Sequence, residues 1–228
     1  FLPQNLADVT LASSSILTLS SGVNGSIVSS VTLDGARTAT LFSSPLSSVR
    51  LGAFGYGKQL LFTKPSATLP GYAFSFSALK TPVRVAGPNR GLVALPSPLG
   101  SDVLLSYTQS SALRLALLET KTGVVTELPV GTIADKCVWS ADEKNVFCGV
   151  PQNPDSKYAY PDDWYQGVAA FSDRIWKLDV TNRYVEMVLD FTKSTGAGLD
   201  AKALAVDPRA STLVFMNKND GSLWAYKL

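Results

Sequence analysis

The side chains best suited to chemistry gather in one stretch of this 228-residue sequence, where Asp155, Asp162, Asp163 and Asp173 alternate with Tyr158, Tyr160, Trp164, Tyr165 and Phe171. Paired carboxylates held across a sugar can act as acid and base in glycoside cleavage. Several oxygen ligands can also hold a hard cation such as calcium. Aromatic rings with polar tips on a stiff loop lose little entropy on docking and are common anchors for peptides and sugars. The third reading fits best, because loop Asp-Asp pairs are usually solvated turn residues and the spacing of Asp155, Asp162 and Asp163 matches no standard calcium loop. The residues expected to bind are therefore Tyr158, Tyr160, Asp162, Asp163, Trp164 and Tyr165, on a loop stiffened by Pro151, Pro154 and Pro161. The structural alternative is a loop folded over a sheet edge to cover it.

The chain has no histidine. That removes Ser-His-Asp and Cys-His nucleophile systems, histidine-ligated zinc or copper, and the commonest neutral-pH general base. Two cysteines cannot build a four-thiolate site. No catalytic residue, metal or cofactor is assigned. Gly52, Gly55 and Gly57 form a glycine-rich segment, but no helix follows it to make a phosphate cradle. The basic residues Arg37, Arg50, Lys58, Lys64, Lys80, Arg84 and Arg90 come singly, and 20 Lys and Arg stand against 18 Asp and Glu, so no nucleic-acid track is expected. No run approaches a membrane span, and Phe1 to Asn5 do not read as a signal peptide.

The elements that position these residues repeat. Short apolar runs begin at Ile16, Leu60, Val103, Val146 and Leu213, the first four about 43 residues apart and the last delayed. Turn-forming pairs precede three of them at Ser97-Pro98, Ser140-Ala141 and Asp207-Pro208. Second apolar segments follow at Ile27, Tyr72, Leu113, Ile175 and Leu223, and further strands at Thr38, Val83, Val124 and Tyr184. Four short strands per unit, with turn residues between, predict an all-β chain: a β-propeller of four-stranded antiparallel blades, five blade units in a single domain over residues 1–228. A helix over Ser111 to Thr120 is the competing local reading, set aside because the repeat outweighs propensity. Trp139, Trp176 and Trp224 recur at repeat positions and read as packing between blades. The delay between Val146 and Leu213 falls mostly after the second strand of unit four, making residues 150–173 an insertion and the expected functional surface.

Cys137-Val-Trp-Ser-Ala-Asp-Glu-Lys-Asn-Val-Phe147 with Ile175-Trp-Lys-Leu-Asp179, and Leu204-Ala-Val-Asp-Pro-Arg-Ala-Ser-Thr-Leu-Val-Phe215 with Asn219-Asp-Gly-Ser-Leu-Trp224, resemble the W-S-P-D-G-x-x-I-x-F and D-G-x-I-W repeat of TolB-like, WD-type bacterial propellers. Units three to five carry it; units one and two match in spacing and strand pattern. Within that group, Tyr160-Pro-Asp-Asp-Trp-Tyr-Gln-Gly167 and the Cys137 to Cys148 hairpin resemble a set of envelope-anchored propellers to which no activity is assigned. The resemblance implies location more than mechanism.

Cys137 and Cys148 flank the turn at Asp142-Glu143 and fall opposite each other in one hairpin register, which places their Cα atoms within disulfide range. A disulfide points to an extracytoplasmic compartment, periplasmic or cell-surface; two buried thiols in a cytosolic sheet are the alternative. Phe1-Leu2-Pro3 reads as the tail of an outer strand and the last unit lacks its outer strand, so the chain is expected to be a fragment of a longer propeller with an upstream anchor, closure as a five-bladed ring being the alternative. Fold-level analogy then favours a non-catalytic binding or scaffolding module for a protein, peptide or glycan at the envelope. The alternatives are a carboxylate-dependent glycosidase or lyase, and the propeller part of a larger hydrolase.

Overall fold

Strands buried on one face alternate apolar and polar residues, whereas strands covered on both faces need not. The run Asp102–Gln109 is of the second kind, with Val103, Leu104 and Leu105 all buried. The computed structural model, which describes residues 6–12, 14–55, 57–77 and 81–228, shows what covers them. Five antiparallel sheets stack as the blades of a propeller. The first contains β1 (Leu6–Ala12), β2 (Ser15–Gly22), β3 (Gly25–Thr32) and β4 (Thr38–Ser44). The second contains β5 (Val49–Phe54), β6 (Lys58–Thr63), β7 (Pro70–Ser77) and β8 (Val83–Arg90), and the third β9 (Val93–Pro96), β10 (Asp102–Gln109), β11 (Ala112–Glu119) and β12 (Val125–Glu127). The fourth is β13 (Cys137–Trp139), β14 (Asn145–Pro151), β15 (Asp173–Asp179) and β16 (Tyr184–Asp190); the fifth is β17 (Ala201–Val206), β18 (Thr212–Asn217) and β19 (Leu223–Lys227).

The expected apolar anchors are the second strand of each blade, and the segment Ser111 to Thr120 is strand β11 rather than a helix. The helices are short: α1 (Asp162–Tyr165), α2 (Phe191–Thr195) and one 3-10 turn at Ala134–Lys136. The proposed outer-strand tail at Phe1 to Pro3 lies outside the described residues.

The repeat motif is turn chemistry. In the β13–β14 hairpin the Ser140 hydroxyl donates to Asp142 at 2.6 Å, and Asp142 accepts the Lys144 amide at 3.1 Å. At the corresponding place in blade five, Asp207 accepts the amides of Arg209, Ser211 and Thr212. Each aspartate satisfies N–H groups that the reversing chain would otherwise leave unpaired.

Between blades lie three apolar clusters, one joining blades one and two, one running through blades two to four, and one joining four and five. Trp139 spans such a boundary, with its indole N–H donating to the Leu95 carbonyl at 3.2 Å. The first strands, each at the end of its sheet, surround a central cavity of about 1000 Å³ lined by parts of β1, β5, β9, β13 and Leu204 of β17. Gly55 permits the close approach of the β5–β6 turn to blade three, since a Cβ there would stand 2.0 Å from the Leu99 carbonyl oxygen. Truncating Leu104, fully buried in the three-blade cluster, leaves a cavity on the face of β10 from which it projects. Leu104→Ala is expected to cost about 2–5 kcal/mol, read as a lower midpoint in denaturant unfolding.

Candidate functional site

The insertion leaves β14 at Pro151 and returns at Asp173, at the end of the propeller where β13 begins. It is tied to every neighbouring blade. Asp162 accepts the Ala67 amide of blade two at 2.8 Å, and the Tyr160 carbonyl accepts the Thr108 hydroxyl of blade three at 3.0 Å. Lys218 of blade five donates to the Ala169 carbonyl at 3.3 Å. Asp163 serves the insertion itself, accepting the Ala159 amide at 2.8 Å.

Underneath is a cluster of three charges with no solvent exposure. Lys136 sits in the 3-10 turn ahead of β13, Asp173 opens β15 and Asp200 immediately precedes β17. The Lys136 ammonium donates to Asp200 Oδ1 and to the Ala201 carbonyl at 2.9 Å, and it pairs with Asp173 Oδ2 at 2.8 Å. Asp200 Oδ2 also accepts the Trp164 indole N–H at 2.9 Å and the Phe171 amide at 3.0 Å. Its own amide donates to Asn217 Oδ1 at 3.0 Å. The Trp164 and Phe171 rings cover the ammonium, 4.9 and 5.1 Å from their centroids. Gly149 leaves the room, since a Cβ there would fall 3.1 Å from Asp173 Oδ2.

Two carboxylates share one ammonium, and burial together with the charge of Asp200 outweighs Lys136 to push the Asp173 carboxyl up to about 6. Asp173 Oδ1 has no hydrogen-bond partner.

Beside the insertion, Arg50 and Asp135 on the wall of the central cavity pair at 2.6 Å, and Asp135 accepts the Tyr165 hydroxyl at 2.6 Å. Burial, reinforced by Asp135, holds the Tyr165 hydroxyl well above its ordinary range, so it stays a donor. The far side of the insertion forms a recess of about 250 Å³ lined by Tyr158, Tyr160, Phe171, Gln152, Asn153 and Thr192. A third cavity, about 660 Å³ between blades three and four at the opposite end, contains Asp102, whose carboxyl is raised by burial and by Glu143 and Glu119.

The six residues expected to bind therefore divide. Trp164 is 5% exposed and Tyr160 2%: the indole seals the charged cluster, as the edge-cover alternative has it, and Tyr160 borders the recess while packing on Phe171 at 5.2 Å. Tyr165 is 40% exposed, and Tyr158 lines the recess. Asp162 and Asp163 bond backbone amides, and among the described residues no group of three acidic or cysteine side chains is arranged to hold a metal ion. Cys137 and Cys148 face each other in register and form the expected disulfide. Sequence reasoning missed Lys136 and Asp200. Their signal was a charge set against apolar neighbours, Ile133-Ala134 in one case and Leu199 and Ala201 in the other.

No protein-family model matches the chain, and no curated protein matches it. Solved structures do. TolB from Acinetobacter baumannii superposes with a TM-score of 0.66 at 12% identity over 97% of this chain and 51% of that one, so the chain spans about half its length. The putative TolB from Agrobacterium tumefaciens gives 0.61 at 12% identity, covering 98% of this chain and 81% of that one. An oligogalacturonate lyase in complex with manganese gives 0.63 at 8% identity, covering 100% and 67%. The shared property is the fold, a TolB-like β-propeller.

The raised Asp173 carboxyl has a direct consequence for stability. Between pH about 4 and about 6 the folded protein keeps a proton that the unfolded chain has released, so this group's stabilisation is complete below about 4 and is lost as pH rises through about 6. Denaturant midpoints measured across that window are expected to fall for the native protein relative to Asp173→Asn, whose amide does not titrate.

Proposed function

We propose that the chain is a non-catalytic, extracytoplasmic binding module whose ligand, a protein, peptide or glycan, docks on the insertion. The observation that carries this reading is the anchoring of the insertion to blades two, three, four and five at once, which presents Tyr158 and Tyr165 on a platform that does not have to be ordered at the moment of binding. Tyr158 borders a recess furnished with an aromatic wall and the amides of Gln152 and Asn153, a mixture suited to a sugar ring or a peptide side chain. Tyr165 stands at the rim of the central cavity beside Arg50 and Asp135. The carboxylates of the insertion hold backbone amides, which supports recognition rather than acid-base chemistry.

The Cys137–Cys148 disulfide supports an oxidising compartment, and no helix of the described residues is long and apolar enough to cross a membrane. Likeness in fold to TolB is consistent with a docking platform at the cell envelope.

The test is a pull-down from envelope extract followed by affinity measurement on variants. Tyr158→Ala and Tyr165→Ala are each expected to weaken binding roughly tenfold or more with the thermal midpoint little changed. Unchanged affinity in both removes the insertion as the docking surface. Trp164→Ala is expected instead to lower stability by about 3–5 kcal/mol, because it opens the cover over a buried charge.

A further inference from the structure

The Lys136, Asp173 and Asp200 cluster holds an amine, a carboxyl carbon and a third, proton-accepting group in mutual contact, sealed from water. We propose that Lys136 and Asp200 become joined by an amide bond formed within the chain, with Asp173 carrying the protons.

In water an ammonium and a carboxylate do not condense, since both ions are well hydrated and the neutral pair that reacts is scarce. Here that hydration is gone: all three side chains have 0% exposure and the aromatic rings of Trp164 and Phe171 enclose them. With no water to hydrate them, the amine and the carboxyl lose what holds them apart in solution. The reacting atoms are held by the fold, which replaces a bimolecular encounter by a bound geometry. Lys136 Nζ already touches Asp200 Oδ1.

The remaining parts of an acyl transfer are in place. As the amine adds to Asp200 Cγ, negative charge grows on Oδ2, where the Trp164 indole N–H at 2.9 Å and the Phe171 amide at 3.0 Å already point. Asp173 Oδ2, 2.8 Å from Nζ, accepts a proton from nitrogen and returns it to the departing Oδ1. Its unpartnered Oδ1 leaves capacity for that proton. The balance is complete without a co-reactant: the ammonium gives up two protons, the Cγ–Oδ1 bond breaks, the Nζ–Cγ bond forms, and one water leaves. Asp173 ends as it began. The product ties the segment before β13 to the segment before β17, a covalent link from blade four to blade five beneath the insertion.

Intact mass spectrometry of the reduced, denatured protein tests this. The wild type is expected to fall short of its sequence mass by one water, and a digest to contain a branched peptide joining Lys136 to Asp200. Asp200→Asn expels ammonia instead and is expected to reach the same final mass as the wild type. Asp173→Asn is expected to keep its full mass while circular dichroism shows the folded β spectrum. A wild type at full sequence mass overturns the proposal. So does loss of water without the branched peptide, the signature of a succinimide at Asp200. Loss of water that persists with a branched peptide in Asp173→Asn overturns the role given to Asp173.

Discussion

One carboxylate fixes the arrangement of everything at the insertion's end of this propeller. Asp200 receives Lys136 from the edge of blade four and both Trp164 and Phe171 from the insertion, while Asn217 of blade five holds its backbone amide. Burying charge is costly, and a buried pair repays that cost only when every donor and acceptor is placed. Asp200 meets that condition; Asp173 keeps one oxygen unsatisfied, and burial raises its carboxyl. Removing Lys136 would strand the carboxylates, and removing Asp200 would leave the Trp164 and Phe171 N–H groups unpaired, in an apolar enclosure. The enclosure and the cluster therefore depend on each other: the rings of Trp164 and Phe171 exclude water while Asp200 holds the indole N–H of one and the backbone amide of the other, and the ions stay paired while water is excluded.

A single four-stranded sheet cannot hide both of its faces, so a propeller is stable through the stacking of its blades. Apolar clusters supply most of that stacking, but they are tolerant of sliding because dispersion and burial are not directional. Hydrogen bonds are directional. The insertion bonds to blade two through Ala67, to blade three through Thr108 and to blade five through Asp200 and Lys218, which sets how far each blade end stands from the next. The insertion is a structural cover held down by Tyr160, Trp164 and Phe171, and the proposed platform is the same object, with Tyr165 exposed and Tyr158 half-buried at the recess.

The repeat was legible because each blade obeys short-range rules. Apolar runs such as Val103-Leu104-Leu105 and turn aspartates such as Asp142 and Asp207 act within a few residues of themselves, so spacing alone located the second, third and fourth strands. The disulfide was legible for the same reason, being a matter of hairpin register. The inner strands left a fainter trace, since β9 and β13 are only four and three residues long. The charged cluster left almost none. The partners that Lys136, Trp164 and Phe171 find in Asp200 lie 29 to 64 positions away, and a lysine or aspartate next to a strand is ordinarily solvated. The same reason explains why the indole of Trp164 looked like a binding residue: an aromatic in a polar, proline-rich loop is equally compatible with display and with cover until its partner is known.

The two linkages close to the start of β13 do different work. The Cys137–Cys148 disulfide joins neighbouring strands of one blade across a separation of 11 residues, so the chain entropy it removes is worth about 3 kcal/mol or less and nothing in it relates one blade to another. Lys136, one residue earlier, reaches across to blade five. The fourth-to-fifth apolar cluster, built on Phe147, Ile175, Phe191, Leu213 and Phe215, supplies adhesion at that boundary without registering it. The ammonium between Asp173 and Asp200 supplies the register, because it can meet both carboxylates and the Ala201 carbonyl only when the segments preceding β13 and β17 and the first residue of β15 stand at one set of distances. The insertion inherits that precision, since Trp164 and Phe171 are fastened to the carboxylate that defines it.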